Sequence, residues 1–215
     1  KHSTSRVPVG ASIPRRDVLQ LALMSSDNRA AASLARTFPG GASAFRTAVK
    51  HKIVTLGMRQ TRIEEATGLS PNNISTASDL VKMAAAASKY PEIARMTTEK
   101  NDIININGRG VEYRNTNRLV GAKGWDIGLS KTGYTEEAGR CLIMRIKAAG
   151  KNATLVLLNA GASSVRAFDA MSIRRFMGGE EIRVARAHPR AEGRVMKASL
   201  RTRVAKHTKG RHRRA

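Results

Sequence analysis

Gly128-Leu129-Ser130-Lys131-Thr132-Gly133-Tyr134 reads as a β-strand, and two further strand-like stretches follow it, Arg140–Ala148 and Ala153–Ala160, with Gly150-Lys151-Asn152 as the turn between them. Three strands joined this closely make an antiparallel meander, because a parallel pair needs a crossover of a dozen or more residues. Upstream, Ile103-Ile104-Asn105-Ile106 and Val111-Glu112-Tyr113 flank Asn107-Gly108, a hairpin signal. Before residue 100 the apolar period is helical. Asp17–Met24 and Arg29–Ala35 read as helices, and Phe45, Val49, Ile53 and Leu56 mark one face of a third that stops at Gly57. Ser75 or Thr76 caps a fourth, Ala77–Lys89, which Pro91 ends. Beyond the meander, Ser163–Met177 is a helix expected to turn Val165, Phe168, Met171 (or Ser172) and Phe176 inward. Helices first, then strands, then a helix give an α+β fold, a helical subdomain beside an antiparallel sheet.

A chain of 215 residues with 41% apolar and only 4% aromatic side chains can bury one sizeable core built from Ala, Leu, Ile, Val and Met. Its single cysteine, Cys141, cannot form an internal disulfide, and in the run Cys141-Leu142-Ile143-Met144 it is expected to be a buried small hydrophobe. No apolar stretch reaches the ~18–20 residues of a membrane span. No signal peptide is visible, and a chain opening on Lys1 is expected to lack a segment in front of it. The net charge is +23, and residues 183–215 hold twelve Lys/Arg against Glu192 alone, so residues 181–215 are expected to be a disordered basic tail behind a domain at 1–180. The tail has no aromatic residue to stack on bases, and the chain has no helix-turn-helix or zinc-finger pattern. Non-specific attraction is the most it offers a nucleic acid.

The residues that carry chemistry come in two groups. Ser26-Asp27-Asn28, 105 residues before Lys131-Thr132-Gly133, interrupts two helical runs with three kinds of capping residue. It therefore belongs at a loop-to-helix junction, where short polar side chains are held firmly. The histidines (His2, His51, His188, His207, His212) show no metal-ligand spacing, and Glu64-Glu65 and Glu136-Glu137 are neighbours that point apart, so no metal or cofactor is expected.

S-D-N followed by K-T-G makes two of the three active-site motifs of the penicillin-recognising serine enzymes. The third, S-x-x-K, is absent, since no serine here has a lysine three positions on. The chain resembles the D-alanyl-D-alanine peptidases of the low-molecular-weight penicillin-binding type, most closely their D,D-endopeptidase subgroup. The resemblance rests on Leu21–Ala32, Phe38-Pro39-Gly40-Gly41, Ala66-Thr67-Gly68-Leu69-Ser70, Arg114–Val120 and Lys131–Thr135, and covers roughly Val7 to Met177.

That resemblance implies a β-lactamase/transpeptidase-like fold whose N-terminal strands and first active-site helix are missing from this chain. It implies a serine-type peptidase acting on peptidoglycan stem peptides and cross-links in the periplasm and acylated by β-lactams, with the nucleophile outside these 215 residues. Ser26 matches the serine that passes a proton to the departing amine, and Asn28 the asparagine that grips the substrate backbone. Lys131 and Thr132 match the cationic wall of the cleft, Gly133 the residue whose missing side chain lets substrate lie flush, and Tyr134 the donor of an oxyanion-hole N–H. Asp27, the variable middle residue, is given no chemical role. The alternatives are a catalytically dead relic that binds peptidoglycan or a polyanion, and a non-specific nucleic-acid-binding protein.

Overall fold

The computed structural model describes residues 5–180, so the basic stretch 181–215 lies outside the described residues. Six helices and five strands follow in the order α1 (Arg15–Met24), α2 (Asn28–Arg36), α3 (Gly41–Thr55), α4 (Ala77–Ala87), α5 (Pro91–Thr98), β1 (Asn101–Ile106), β2 (Arg109–Arg114), β3 (Asp126–Thr135), β4 (Gly139–Ala148), β5 (Lys151–Ala160) and α6 (Ser163–Met177). The α+β class holds. Pro91 ends one helix, as expected, and also opens another: its fixed φ suits a first helical position, where the missing N–H has no partner to lose.

The strands form two sheets. β1 and β2 pair only with each other, closed by Asn107-Gly108 with both residues at positive φ, and the meander is a separate three-stranded sheet in the order β3-β4-β5. The hairpin belongs with the helices: Ile104, Ile106 and Tyr113 share a core with Leu21 and Met24 of α1 and Ala30 of α2. Burying a side chain such as Met24 completely stabilises by about 1.5–3 kcal/mol. A second core joins Leu142, Met144, Ile146 and Leu155 of the meander to Ala170 of α6, with Ile173, Met177 and Trp125 packed against it. Strand neighbours point to opposite faces. Between Met144 and Ile146, both on the α6 side, Arg145 therefore reaches the other way, to Ser88 at the end of α4. The sheet lies between α6 and the helical part.

Three local expectations need correction. The β4–β5 turn is Ala149-Gly150, with φ of 48° and 73°, and Lys151 and Asn152 are already paired in the strand. On α6, Met171 and Phe176 are exposed, at 38% and 55%; the alternative Ser172 is the buried one, together with Ala170, which was not expected. The helix lies close to the sheet at Ala170 and Ser172, with Ile173 and Met177 half-buried beside them. Cys141 is half-buried, its thiol 3.4 Å from the Ala138 carbonyl.

Candidate active site

The α1–α2 junction is built to present Ser26. The N–H groups of Ser25 and Asp27 both return to the Leu21 carbonyl, which stops α1 and swings the chain outward. Ser26 takes φ of 57°, a left-handed backbone that costs a non-glycine residue about 1–3 kcal/mol and gathers at functional positions. Asp27, without a role from the motif alone, holds the turn. Its buried carboxylate accepts from the Ala30 N–H at 3.0 Å as the N-cap of α2 and from Ser5 Oγ at 2.7 Å. Asn28 is the first residue of α2, half-buried, and its side-chain amide has no hydrogen bond among the described residues.

Lys131 approaches from β3. Its ammonium donates to Ser26 Oγ at 2.5 Å and to the Thr132 carbonyl at 2.9 Å. Burial, with no carboxylate to offset it, lowers its pKa to about 8. Thr132 donates to Thr116 Oγ1 at 2.7 Å. The segment carrying Thr116 is stitched to both halves, since the Thr116 N–H bonds the last carbonyl of α1 and Asn117 donates to Ser130 Oγ at 2.9 Å. Gly133 has ordinary backbone angles, and a Cβ there would only touch Cys141 at 3.7 Å. The fold does not itself require glycine at 133; the space belongs to the cleft.

Ser26, Asn28, Lys131, Thr132, Gly133 and Tyr134 all line one cleft of about 490 Å³. Every site residue expected from the sequence is thus brought together, across 105 positions. Further lining residues were not anticipated. Thr67, Gly68 and Leu69 come from the irregular segment before α4, shaped around Glu65. That carboxylate accepts from the N–H groups of Thr67, Leu69 and Ser70. Burial pushes its pKa up, but these bonds outweigh it and hold the group below the usual glutamate range. Arg140 and Arg166 add two more cations, and among the described residues no Asp or Glu lines the cleft. Arg166 donates to the Cys141 carbonyl at 2.9 Å, and its pKa is lowered by burial and then by the charge of Arg140. Single arginines on a strand and a helix carry no sequence signal that separates them from solvated charge. The cleft therefore sets a hydroxyl beside a lysine of lowered pKa in an electropositive lining. No three His, Cys, Asp or Glu side chains converge among the described residues.

The model of the D-alanyl-D-alanine carboxypeptidase family matches residues 1–162. The chain belongs to this family. Among its relatives are D-alanyl-D-alanine endopeptidases of Pseudomonas aeruginosa, 46% identical over 175 residues, and Escherichia coli, 44% identical over 175 residues. Each alignment takes in 80% of this chain and 56% of the relative, so the chain spans about half the length of the curated relatives it matches. In three dimensions it resembles a point mutant of the Streptomyces K15 DD-transpeptidase, with a TM-score of 0.75 at 24% identity over 83% of this chain and 73% of the other. Penicillin-binding protein D2 of Listeria monocytogenes, solved in its ampicillin-bound form, gives a TM-score of 0.66 at 27% identity, covering 77% and 67%. The transpeptidase-like architecture that the resemblance implies is the one this chain has.

Proposed function

We propose that the cleft is the substrate-handling part of a serine-type D-alanyl-D-alanine peptidase that cuts peptidoglycan stem peptides or their cross-links. The observation that carries this reading is the 2.5 Å contact of Lys131 Nζ with Ser26 Oγ, in a cleft lined by three cations and no carboxylate. In the reaction a serine oxygen attacks the D-alanine carbonyl carbon, the C–N bond breaks as the amine leaves with a proton, and water then hydrolyses the ester. Ser26 delivers that proton through its hydroxyl, which accepts from Lys131 while donating to the departing nitrogen. A lysine with a pKa of about 8 can recharge it near neutral pH. Asn28 holds the peptide backbone with its unengaged amide, and Lys131 and Thr132 form the polar wall. Gly133 leaves room for the substrate, and Tyr134 gives its backbone N–H to the oxyanion, a type of contact worth ~10²–10³ in rate.

The attacking serine belongs to an S-x-x-K motif that these 215 residues lack, so this chain alone is expected to hydrolyse nothing measurable. The compartment consistent with this activity is the bacterial periplasm, where peptidoglycan is the substrate and β-lactams acylate the same serine. The cationic surface would also draw the protein to envelope polyanions.

Fluorescent penicillin tests the reading. No covalent label is expected on the 215-residue chain. A chain extended at its N-terminus by a family segment bearing S-x-x-K should be labelled, and Lys131→Ala in that protein should slow labelling at least a hundredfold, on the order of one lost transition-state contact. A folded extended protein that takes no label, or one indifferent to Lys131, would overturn it.

A further inference from the structure

We propose that Arg140 is a second anion clamp in the cleft, and that it selects leaving groups carrying two carboxylates over those carrying one. The inference rests on the peptidase reading and adds to it the chemical class of the bond's amine side.

The cleft places Lys131, Arg140 and Arg166 around one space together with Ser163, the first residue of α6, whose N-terminus has no side-chain cap. That assembly is strongly electropositive, since an uncapped helix start adds its own partial positive charge. The charge of Arg140 weighs on Arg166, and an anion between the two would offset that repulsion. One carboxylate satisfies one guanidinium in a two-pronged contact. A substrate with a single terminal carboxylate would engage Arg166, anchored by the Cys141 carbonyl, and leave Arg140 without a partner.

The placement of Arg140 is specified by the backbone. The β4–β5 ladder shifts register between Arg140 and Leu142, a bulge of the kind that re-aims a side chain. Immediately before it, Gly139 sits at φ of 65° so close to Asn159 that a Cβ would lie 2.9 Å from the Asn159 Cα, and Asn159 is itself at φ of 56°. Only glycine fits there. Across the hairpin Arg140 is the register partner of Tyr134, and its guanidinium lies 4.4 Å from the centre of that ring. Stacking fixes the guanidinium plane while leaving its N–H edge free to donate. The plane is fixed one residue beyond Gly133, where the peptide is to lie.

Calorimetry on the 215-residue chain tests this with two probes, N-acetyl-D-Ala-D-Ala and N-acetyl-D-Ala-D-Glu. The second should bind about tenfold tighter, the scale of one charge-assisted pair. Arg140→Gln should erase the difference, Arg140→Lys should keep part of it, and Arg166→Gln should weaken both probes. Equal binding of the two probes by the unaltered chain, or a preference that survives Arg140→Gln, overturns the clamp and leaves the peptidase reading standing. If neither probe binds the unaltered chain, the peptide site itself falls, and the clamp with it. A melting curve accompanies each variant. Should Arg140→Gln unfold, Arg140→Lys decides: an unchanged preference ratio despite the poorer fork geometry of lysine overturns the clamp, and a reduced one supports it.

Discussion

Lys131 and Asp27 show how much a single side chain does in this cleft. Burial holds the Lys131 ammonium at a pKa of about 8, below its value in an unfolded chain. Between about pH 8 and the ordinary lysine range near ~10.4 the unfolded chain binds more protons than the folded one, so this residue makes stability rise with pH through that window. Below pH 8 the cost of the buried charge is carried in full. A Lys131 side-chain NMR titration is expected to give a midpoint near 8, well apart from the other lysines. Lys131→Met is expected to melt no lower than the native protein at pH 7 while losing peptide binding, because an apolar side chain of similar length removes a desolvation cost. Asp27→Ala works in the opposite direction. It removes the cap of α2 and the acceptor for Ser5, and is expected to cost about 1–2 kcal/mol, read as a lower Tm. The motifs made Ser26, Asn28 and Lys131 to Tyr134 legible in the sequence because their spacing is unusual. Asp27 hid inside a motif, and Arg140 and Arg166 became visible only when a bulge and a helix start turned them into the same space.

Elements were legible where local chemistry is decisive and misread where a partner decides. The Asn107-Gly108 hairpin and the limits Ser163–Met177 came straight from the sequence, since positive-φ turn residues and helix-ending glycines act alone. The inward face of α6 came through only in part: Ser172 is buried as one of the alternatives, but Met171 and Phe176 are exposed and Ala170 takes the closest approach to the sheet. The β4–β5 turn was misplaced for a related reason: pairing of Ala148 with Lys151 leaves two residues for the turn and forces Ala149 to φ of 48°. Ala149→Asn would give this hairpin the same Asn-Gly pair that closes β1–β2. It is expected to stabilise by about 1 kcal/mol, or roughly 2–4 °C in Tm, through removal of a left-handed alanine. The loop of Thr67 to Ser70 offers a contrasting case, ordered by one carboxylate rather than by turn residues. Because the Glu65 pKa is held down, the ordering it provides is complete above the usual glutamate range and is lost as pH falls through the lower folded value. Amide exchange at Leu69 and Ser70 is expected to accelerate in that acidic range, and to be fast already at pH 7 in Glu65→Gln.

On the scale of the molecule, the cleft lies where two separately packed cores meet. Ser26 and Asn28 ride on the α1–α2–hairpin core and Lys131 on the core between the sheet and α6. Around the cleft Lys131 bonds Ser26, Thr132 bonds Thr116, and Asn117 bonds Ser130. The chain has one tryptophan, and Trp125 sits with the sheet–α6 core, stacked under Arg174 at 5.0 Å. Its emission is therefore a meter for one half only. If the helical half melts before the other, indole fluorescence should lag behind the loss of helical circular dichroism in urea, and coincident curves would mean that the two cores melt as one.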